Sequence, residues 1–356
     1  MIEMTEHELD KRQVGNNYLT GVLSTAPIIC SLMVVILHQH NSFGSLTSTS
    51  SRIISFFTHG LCTAAVPTFF LISGYLFYKN VNSVHDVFQK QRRRIASLLM
   101  PFLAWSTFYY AFYAIISIIF PTQLQTTVDV SPIAIIKGIF FYEYAFLLWY
   151  LFQLCIYVFL LAPAIFCVLK NNKAKVILFC FVLLTALFIK DDITLDLGRY
   201  QRNLFQFNFF CYYLLGCYLT ECLASVKKIV ESIPTFIFGS AFIFFGFIGS
   251  LIYDGIIPCY YSRSMVPLIT LSFWGLMLRV LGNRKIEKSI PVSTMIIYGI
   301  HPLAGLLVNR FVLSRVHHLP LLHFGLSVIM VTALSFALGY ILKQFKPIYR
   351  VFSGNR

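Results

Sequence analysis

Long apolar runs separated by short charged segments restrict most strongly what this chain of 356 residues can fold into. Each run approaches the roughly 20 residues that an α-helix needs to cross the hydrocarbon core of a bilayer. Only 12% of the residues are charged, against about 25% in a soluble domain. We therefore predict an all-α, polytopic membrane helix bundle of about ten transmembrane helices. The runs lie near residues 22–40, 60–78, 97–120, 145–169, 175–189, 204–222, 234–253, 264–281, 291–309 and 321–342.

The predicted organisation is one transmembrane domain with short flanking segments. Residues 1–21 form a cytoplasmic N-terminal segment, residues 22–345 the transmembrane domain, and residues 346–356 a cytoplasmic tail. The apolar stretch 132–142 is too short to cross a bilayer. We interpret it as an interfacial or re-entrant piece.

Lysine and arginine are distributed unevenly between the two sides of these spans. If the N-terminus is cytoplasmic, the cytoplasmic segments hold most of the 28 Lys and Arg residues. The opposite face holds only Arg52, Lys137, Lys190, Arg199, Arg202, Arg263, Arg310 and Arg315. By the positive-inside rule both termini are predicted to be cytoplasmic. The net charge of +14 is then explained by orientation and by attraction to anionic membrane lipids, without a nucleic-acid partner.

The cysteine and histidine patterns do not indicate a metal centre. Eight of the nine cysteines lie in or beside apolar runs, only Cys259 lies in an outer loop, and there is no C-x-x-C. The outer segment "RVHHLPLLH" carries His317, His318 and His323 without a carboxylate or cysteine. We expect neither a metal site nor a permanently bound cofactor.

Two histidines stand out because ionisable groups inside membrane spans are costly and usually functional. His38 ends the first run in "APIICSLMVVILHQHN", and His301 lies within the ninth in "IIYGIHPLAG". The missing amide of Pro302 is expected to expose backbone polar groups around His301. If the first two spans are neighbours, His40 and His59 lie near His38. The structural alternatives are an interfacial imidazole at His38 and a buried, hydrogen-bonded one at His301.

Five segments carry a resemblance to a known family. They are "AAVPTFFLISGYLFYKN" (64–80), "RRRIASLLMPFLAWS" (92–106), "LLWYLFQLCIYVFLLAPAI" (147–165), "FFCYYLLGCYL" (209–219) and "STMIIYGIHPL" (293–303). In this order they resemble the acyltransferase-3 family, integral membrane O-acyltransferases of bacterial surface glycans. The first segment is the most specific, and the others support it by their order.

The resemblance implies transfer of an acyl group, usually acetyl from acetyl-CoA, to a hydroxyl of a lipid-linked or exported saccharide. It places the protein in the bacterial inner membrane as a multi-pass enzyme. His38 corresponds to the family's first-span histidine, the general base or acid. Imidazole suits this task because it titrates near neutral pH. His301 is the second candidate catalytic residue.

The chain departs from the family pattern at several polar positions. The family usually has an arginine eleven residues before the first-span histidine and an aspartate three residues before that arginine. Here these positions hold Pro27 and Ser24. Ser97 stands where a second arginine is frequent, and Leu147 where many relatives have a histidine.

Two further groups are candidates for binding. Arg92, Arg93 and Arg94 lie in a predicted cytoplasmic loop, and guanidinium groups match the phosphate oxygens of acyl-CoA. The alternative role for them is orientation and lipid contact. Trp149 and Tyr150 could present an aromatic face to substrate, or could serve packing and interfacial anchoring.

Two other classes of function stay open alongside the enzyme. A non-catalytic relative of the family could bind a glycan or help to export it, which agrees with Pro27 and Leu147. A secondary transporter would show repeated halves with interrupted helices, and no internal repeat is visible in the sequence.

Overall fold

The computed structural model describes residues 18–39, 49–119, 128–188, 193–196, 201–259, 263–282, 284, 292–312, 316 and 318–354. These residues are mainly helical, with one antiparallel β-ribbon. The first helices are α1 (Thr20–His38), α2 (Thr49–Ser55), α3 (Ala65–Tyr78), α4 (Val84–Arg94), α5 (Met100–Ile119), α6 (Pro132–Phe140), α7 (Trp149–Cys155), α8 (Ala162–Leu169) and α9 (Asn172–Phe188). The ribbon consists of β1 (Ile193–Asp196) and β2 (Gln201–Phe205). The remaining helices are α10 (Phe207–Ser232), α11 (Thr235–Tyr253), α12 (Val266–Leu281), α13 (Thr294–Leu307), α14 (Pro320–Gln344) and α15 (Lys346–Ser353).

The predicted helical membrane bundle is confirmed. Among the described residues, eight continuous helical stretches are long and apolar enough to cross a membrane. They are Thr20–His38, Thr49–Tyr78, Val84–Ile119, Phe146–Leu169, Phe207–Ser232, Thr235–Tyr253, Thr294–Val312 and Pro320–Gln344. The two other predicted spans correspond to the shorter helices α9, with 17 residues, and α12, with 16. The protein is therefore a multi-pass membrane protein.

The chain divides into two compact units. The first comprises the described residues of 1–79 and 212–340, and the second those of 80–211 and 341–356. In the first unit, α1 packs against α3, α12 and α13. A Cβ atom on Gly74 of α3 would overlap the carbonyl oxygen of Tyr213, and one on Gly216 of α10 would overlap that of Leu71. Two glycines thus permit close backbone contact, as small residues do in membrane helix pairs.

Two side-chain contacts join the helical stretch Thr49–Tyr78 to the end of α11 in the first unit. Ser55 Oγ donates a hydrogen bond of 2.6 Å to the carboxylate of Asp254. One turn later the His59 ring stacks on Tyr253, with centroids 3.6 Å apart and planes 10° apart. Positions separated by four residues share a helix face. One face of this stretch is therefore anchored to Tyr253 and Asp254.

In the second unit, two π-helical segments precede prolines. They are Ile95–Leu99, before Pro101, and Ile156–Leu161, before Pro163. Proline has no amide hydrogen, and its ring crowds the carbonyl four residues earlier. A wider π-turn accommodates this crowding. The helix thus continues through each proline.

The side chain of Gln91 compensates for the amide that Pro163 lacks. Its Nε2 donates to the carbonyl oxygens of Val158 at 2.7 Å and Phe159 at 3.3 Å. Phe159 is four residues before Pro163, so its regular helical donor is missing. Within an apolar environment an unsatisfied carbonyl is costly. Gln91 therefore ties α4 to the Ile156–Leu161 segment.

A buried glutamine holds the end of the β-ribbon. Gln153 of α7, with 0% of its surface exposed, donates from Nε2 to the carbonyls of Asn203 at 2.9 Å and Leu204 at 3.1 Å. Its Oε1 accepts from the amide of Gln206 at 3.2 Å. One turn further, the Tyr157 hydroxyl donates to the carbonyl of Gln206 at 3.0 Å. One face of this helix thereby fixes the junction between β2 and α10.

The segment predicted to be interfacial or re-entrant is helical and docks on α5. Ser106 Oγ donates to the carbonyl of Ile139 at 2.6 Å, at the end of α6. Residues 346–353, within the predicted tail, form α15, which also packs against α5. Trp105 Nε1 donates to the carbonyl of Phe352 at 3.2 Å.

Candidate functional site

The two histidines selected from the sequence lie together in the first unit. The ring centroids of His38, at the end of α1, and His301, within α13, are 5.0 Å apart and the planes are tilted by 51°. His301 has 0% of its surface exposed, and His38 is half-buried. The fold therefore brings a partly accessible imidazole and a fully buried one into contact.

Pro302 determines the hydrogen bond that His301 makes. In a regular helix the Tyr298 carbonyl would accept from the amide of residue 302, and proline has none. The Nδ1 atom of His301 lies 2.7 Å from that carbonyl oxygen instead. Because a carbonyl only accepts, Nδ1 carries the hydrogen and Nε2 carries the lone pair of the neutral ring. The expected exposure of backbone polar groups beside His301 is thus confirmed, and the imidazole itself satisfies one of them.

His38 has the same tautomer for a similar reason. Its Nδ1 lies 2.8 Å from the carbonyl oxygen of Val34, one turn earlier in α1. The carbonyl again requires the hydrogen on Nδ1, which leaves Nε2 as the basic atom of the neutral ring. Both imidazoles thus have Nδ1 hydrogen-bonded to the backbone, and Nε2 is the basic atom of each neutral ring. This is the orientation that a general base needs.

The other predicted neighbours of His38 have different outcomes. The His59 ring stacks on Tyr253, as described above. His40 lies outside the described residues. The histidine that contacts His38 comes from the ninth predicted span, which neither the sequence distance nor the hydrophobic pattern indicated.

Pro27 lies inside α1, about three turns before His38. Ser31 Oγ donates to its carbonyl at 2.8 Å, and Ser24 Oγ donates to the carbonyl of Gly21 at 3.0 Å. The helix Thr20–His38 contains no arginine. Position 24 thus holds a serine that hydrogen-bonds to the backbone of α1, and position 27 holds a proline whose carbonyl accepts from Ser31.

Arg92, Arg93 and Arg94 occupy the last turn of α4 in the second unit. The helix begins with a capping box in which Ser83 accepts from the amide of Asp86 and Asp86 accepts from that of Ser83. Arg92 and Arg93 are exposed and form no ion pair with any residue that the structure describes. Both are accessible to an anionic ligand.

Trp149 and Tyr150 begin α7 in the second unit and are half-buried. The Trp149 ring lies 4.8 Å from that of Phe209, tilted by 56°. Leu147, which replaces the family's histidine, is 1% exposed and belongs to the packed core. The contact with Phe209 shows that Trp149 has a packing role, and its half-buried ring retains an accessible part.

The family model of the acyltransferase domain matches residues 28–340. The chain belongs to the acyltransferase-3 family. The match extends over nearly the whole chain and includes both histidines, the three arginines and Trp149. No curated protein and no solved structure matches the chain. The family identifies the protein as a membrane acyltransferase.

Several polar residues with clear structural roles were not selected from the sequence of this acyltransferase-3 member. Gln39, Gln91, Gln153, Asn309 and Ser327 all make side-chain hydrogen bonds between distant segments. The sequence did contain a signal for them, namely uncharged polar residues in or beside apolar runs. Such side chains need hydrogen-bond partners from other segments. Among the described residues, no three His, Cys, Asp or Glu side chains form a group that could hold a metal ion.

Proposed function

We propose that this acyltransferase-3 member transfers an acetyl group from acetyl-CoA to a hydroxyl of a lipid-linked or exported saccharide. The setting we propose is the bacterial inner membrane. The observation that carries the proposal is the contact between His38 and His301, each with Nδ1 bonded to a backbone carbonyl. The family supplies the reaction class, and this pair supplies a base suited to it.

His38 is the proposed general base because it is the more accessible member of the pair. Its Nε2 takes the proton from the saccharide hydroxyl while the oxygen attacks the thioester carbonyl. The tetrahedral intermediate then collapses, the carbon–sulfur bond breaks, and the imidazolium returns the proton to the CoA thiolate. The products are the ester and free CoA, and His38 returns to its neutral form.

His301 is proposed to orient the acceptor or His38 from the buried side. Its Nε2 has no hydrogen-bond partner among the described residues, although it is fully buried. A buried acceptor atom of this kind is costly unless something pairs with it. A proton on the His38 ring or a hydroxyl of the acceptor would provide that pair.

Arg92, Arg93 and Arg94 are proposed to bind the phosphate groups of acyl-CoA on the cytoplasmic side. Two of them are exposed without ion pairs among the described residues, and guanidinium groups bind phosphate oxygens in a bidentate manner. No nucleic acid is needed to account for these charges. The proposed ligands are acyl-CoA, the saccharide acceptor and membrane lipids.

A transfer assay tests this proposal directly. Membranes that contain the protein are incubated with acetyl-CoA labelled in the acetyl group and with the host's lipid-linked glycan. We expect an alkali-labile ester on the glycan, formed about 10²–10⁴ times more slowly by a His38→Ala variant of equal abundance. If folded, membrane-inserted wild-type protein never transfers label to glycan, the proposal is wrong.

The absence of an arginine from α1 favours one alternative, a non-catalytic glycan-binding member of the family. Pro27 cannot contact a phosphate or polarise a carbonyl. The alternative predicts that the purified protein binds the glycan without consuming acetyl-CoA. Measurement of free CoA alongside glycan binding separates the two functions.

A further inference from the structure

A cluster of three polar side chains, two buried and one half-buried, lies at the end of α1 that carries His38. We call Gln39, Asn309 and Ser327 the amide clamp. Ser327 Oγ of α14 donates to Gln39 Oε1 at 2.6 Å and lies 3.0 Å from the side-chain carboxamide of Asn309. Gln39 is 3% exposed and Ser327 is 1% exposed. Three helical segments that are distant in sequence therefore meet in one hydrogen-bonded group.

The hydrogen-bond inventory determines the orientation of each member. The hydroxyl of Ser327 has one hydrogen, which Gln39 Oε1 accepts. Rotation of a carboxamide about its Cβ–Cγ bond exchanges the positions of its oxygen and nitrogen. The Asn309 carboxamide therefore points its NH₂ group toward Ser327 Oγ, which accepts the hydrogen bond. Gln39 Nε2 in turn donates to the Val35 carbonyl at 3.1 Å. Ser327 thus donates to Gln39, and Gln39 donates to the Val35 carbonyl.

The clamp is directly connected to both histidines. Gln39 follows His38 in the chain, and its side chain binds the Val35 carbonyl beside the Val34 carbonyl that holds His38. Gly305, one turn beyond His301 in α13, faces Gln39, since a Cβ atom there would lie 3.8 Å from Gln39 Nε2. The end of α1 thus rests on α13 at two successive turns, with His38 on His301 and Gln39 on Gly305.

We propose that Gln39, Asn309 and Ser327 are positioning residues that hold the His38 ring against His301. This inference rests on the proposed acyltransferase function. The last carbonyl groups of a helix lack backbone donors, and helix ends tend to fray. Gln39 Nε2 donates to one such carbonyl, that of Val35, and the clamp ties the Gln39 side chain to two other helical segments. Gln39 and Ser327 are buried, Asn309 is half-buried, and the three side chains bind one another, so their proposed role is to position the base.

Asn309 lies in the π-helical segment Val308–Val312 that continues α13. A π-turn changes the direction in which the following side chains point, and such turns are frequent at functional sites. From this segment, which begins directly after α13, Asn309 contacts Ser327 of α14. The same helix thus provides His301 to the pair and Asn309 to the clamp.

Three single substitutions remove one member each: Gln39→Met, Ser327→Ala and Asn309→Leu. Ser335→Ala is the matched control, because Ser335 lies two turns further along α14, is 0% exposed, and has no hydrogen-bond partner among the described residues. The variant that combines Gln39→Met with Ser327→Ala completes a double-mutant cycle. Three independent variants keep the test informative if one of them does not fold.

The activity readout is the separation of kcat from KM. We expect each clamp variant to lower kcat roughly 10- to 100-fold, because a small displacement of the base misaligns proton transfer. The KM values for acetyl-CoA and glycan should stay within about twofold of the wild type. The double variant should lose no more than the worse single variant, whereas Ser335→Ala should retain wild-type kcat.

A second readout does not require activity. Diethyl pyrocarbonate modifies accessible imidazoles, and mass spectrometry of the peptide that contains His301 measures its rate of labelling. We expect the rate to rise roughly tenfold in the clamp variants and to stay unchanged in Ser335→Ala, because a lost buried hydrogen bond makes local opening easier.

The two readouts distinguish failure of the clamp from failure of the proposed function. If the wild type transfers no acetyl group, the proposed acetyl transfer is wrong, and the labelling rates alone decide whether the clamp holds the histidines. If the clamp variants match Ser335→Ala in labelling and in kcat, the clamp proposal is overturned and the enzyme proposal stands.

Discussion

The Nδ1 atom of His301 lies 2.7 Å from the carbonyl oxygen of Tyr298, the carbonyl that Pro302 deprives of its backbone donor. A helix interior normally loses stability at a proline because that hydrogen bond is missing. In this protein the preceding side chain replaces it. Pro302 therefore fixes the tautomer of the imidazole that contacts His38.

Replacement of Pro302 by alanine restores a backbone amide that competes with His301 for the Tyr298 carbonyl. We expect the thermal midpoint of the Pro302→Ala variant to stay equal or rise, because alanine suits a helix interior. We expect kcat to fall roughly two- to tenfold, because the imidazole then divides its hydrogen between both nitrogens. Unchanged kcat would show that the tautomer of His301 is irrelevant to turnover.

The His38→Ala variant should lose turnover by about 10²–10⁴, the contribution of a positioned general base. Expression and the KM for acetyl-CoA should stay nearly unchanged, since His38 is proposed to act in the chemical step. His301→Ala should have an intermediate effect, and His40→Ala a much smaller one. Steady-state kinetics on all three variants check this. Equal, mild losses would mean that the base lies elsewhere.

Replacement of Arg93 and Arg94 by glutamine should raise the KM for acetyl-CoA without changing kcat at saturation, because phosphate binding contributes equally to ground and transition states. The effect should shrink at high ionic strength. Lys173→Gln, which removes an exposed cation elsewhere in the second unit, is the matched control. An unchanged KM with intact topology would leave these arginines an orienting role only.

The Trp149→Phe variant keeps an aromatic ring against Phe209 and removes the indole N–H together with part of the bicyclic ring. We expect its thermal midpoint and its KM for the glycan to match the wild type, since ring packing accounts for the contact that the structure shows. Ligand kinetics on detergent-purified protein measure this. A raised KM at unchanged stability would instead assign the indole to substrate binding.

Loss of the Gln91 side-chain amide should destabilise the second unit. Gln91→Leu leaves the Val158 and Phe159 carbonyls without this donor, at a cost of about 1–3 kcal/mol in the free energy of unfolding. The control is Gln89→Leu on the same helix, where the amide is exposed and contacts only His85 among the described residues. Denaturant titration in mixed micelles compares them. Equal stabilities would show that water or lipid groups satisfy both carbonyls.

The hydrophobic pattern alone was sufficient to predict where the helices lie. Ten apolar runs predicted ten helical segments, and the described residues of each run are mainly helical. This worked because a backbone in hydrocarbon must satisfy its hydrogen bonds within the segment, so an apolar run of about 20 residues has one favourable conformation. The sequence also predicted exposed backbone polar groups around His301, because the amide that Pro302 lacks would have bonded the carbonyl four residues earlier.

Contacts between helices were decided only by the tertiary structure. The sequence predicted that His38, His40 and His59 lie close together if the first two spans are neighbours, and it gave no sign of the contact between His38 and His301 that the described structure shows. Lipid-facing and protein-facing apolar residues are alike in polarity, so the pattern does not encode which helices are neighbours. Packing of small residues and pairing of polar side chains encode it, as in the close approach of Gly74 to Tyr213 and the hydrogen bond between Gln39 and Ser327. These partners are distant in the chain, and folding alone brings them together.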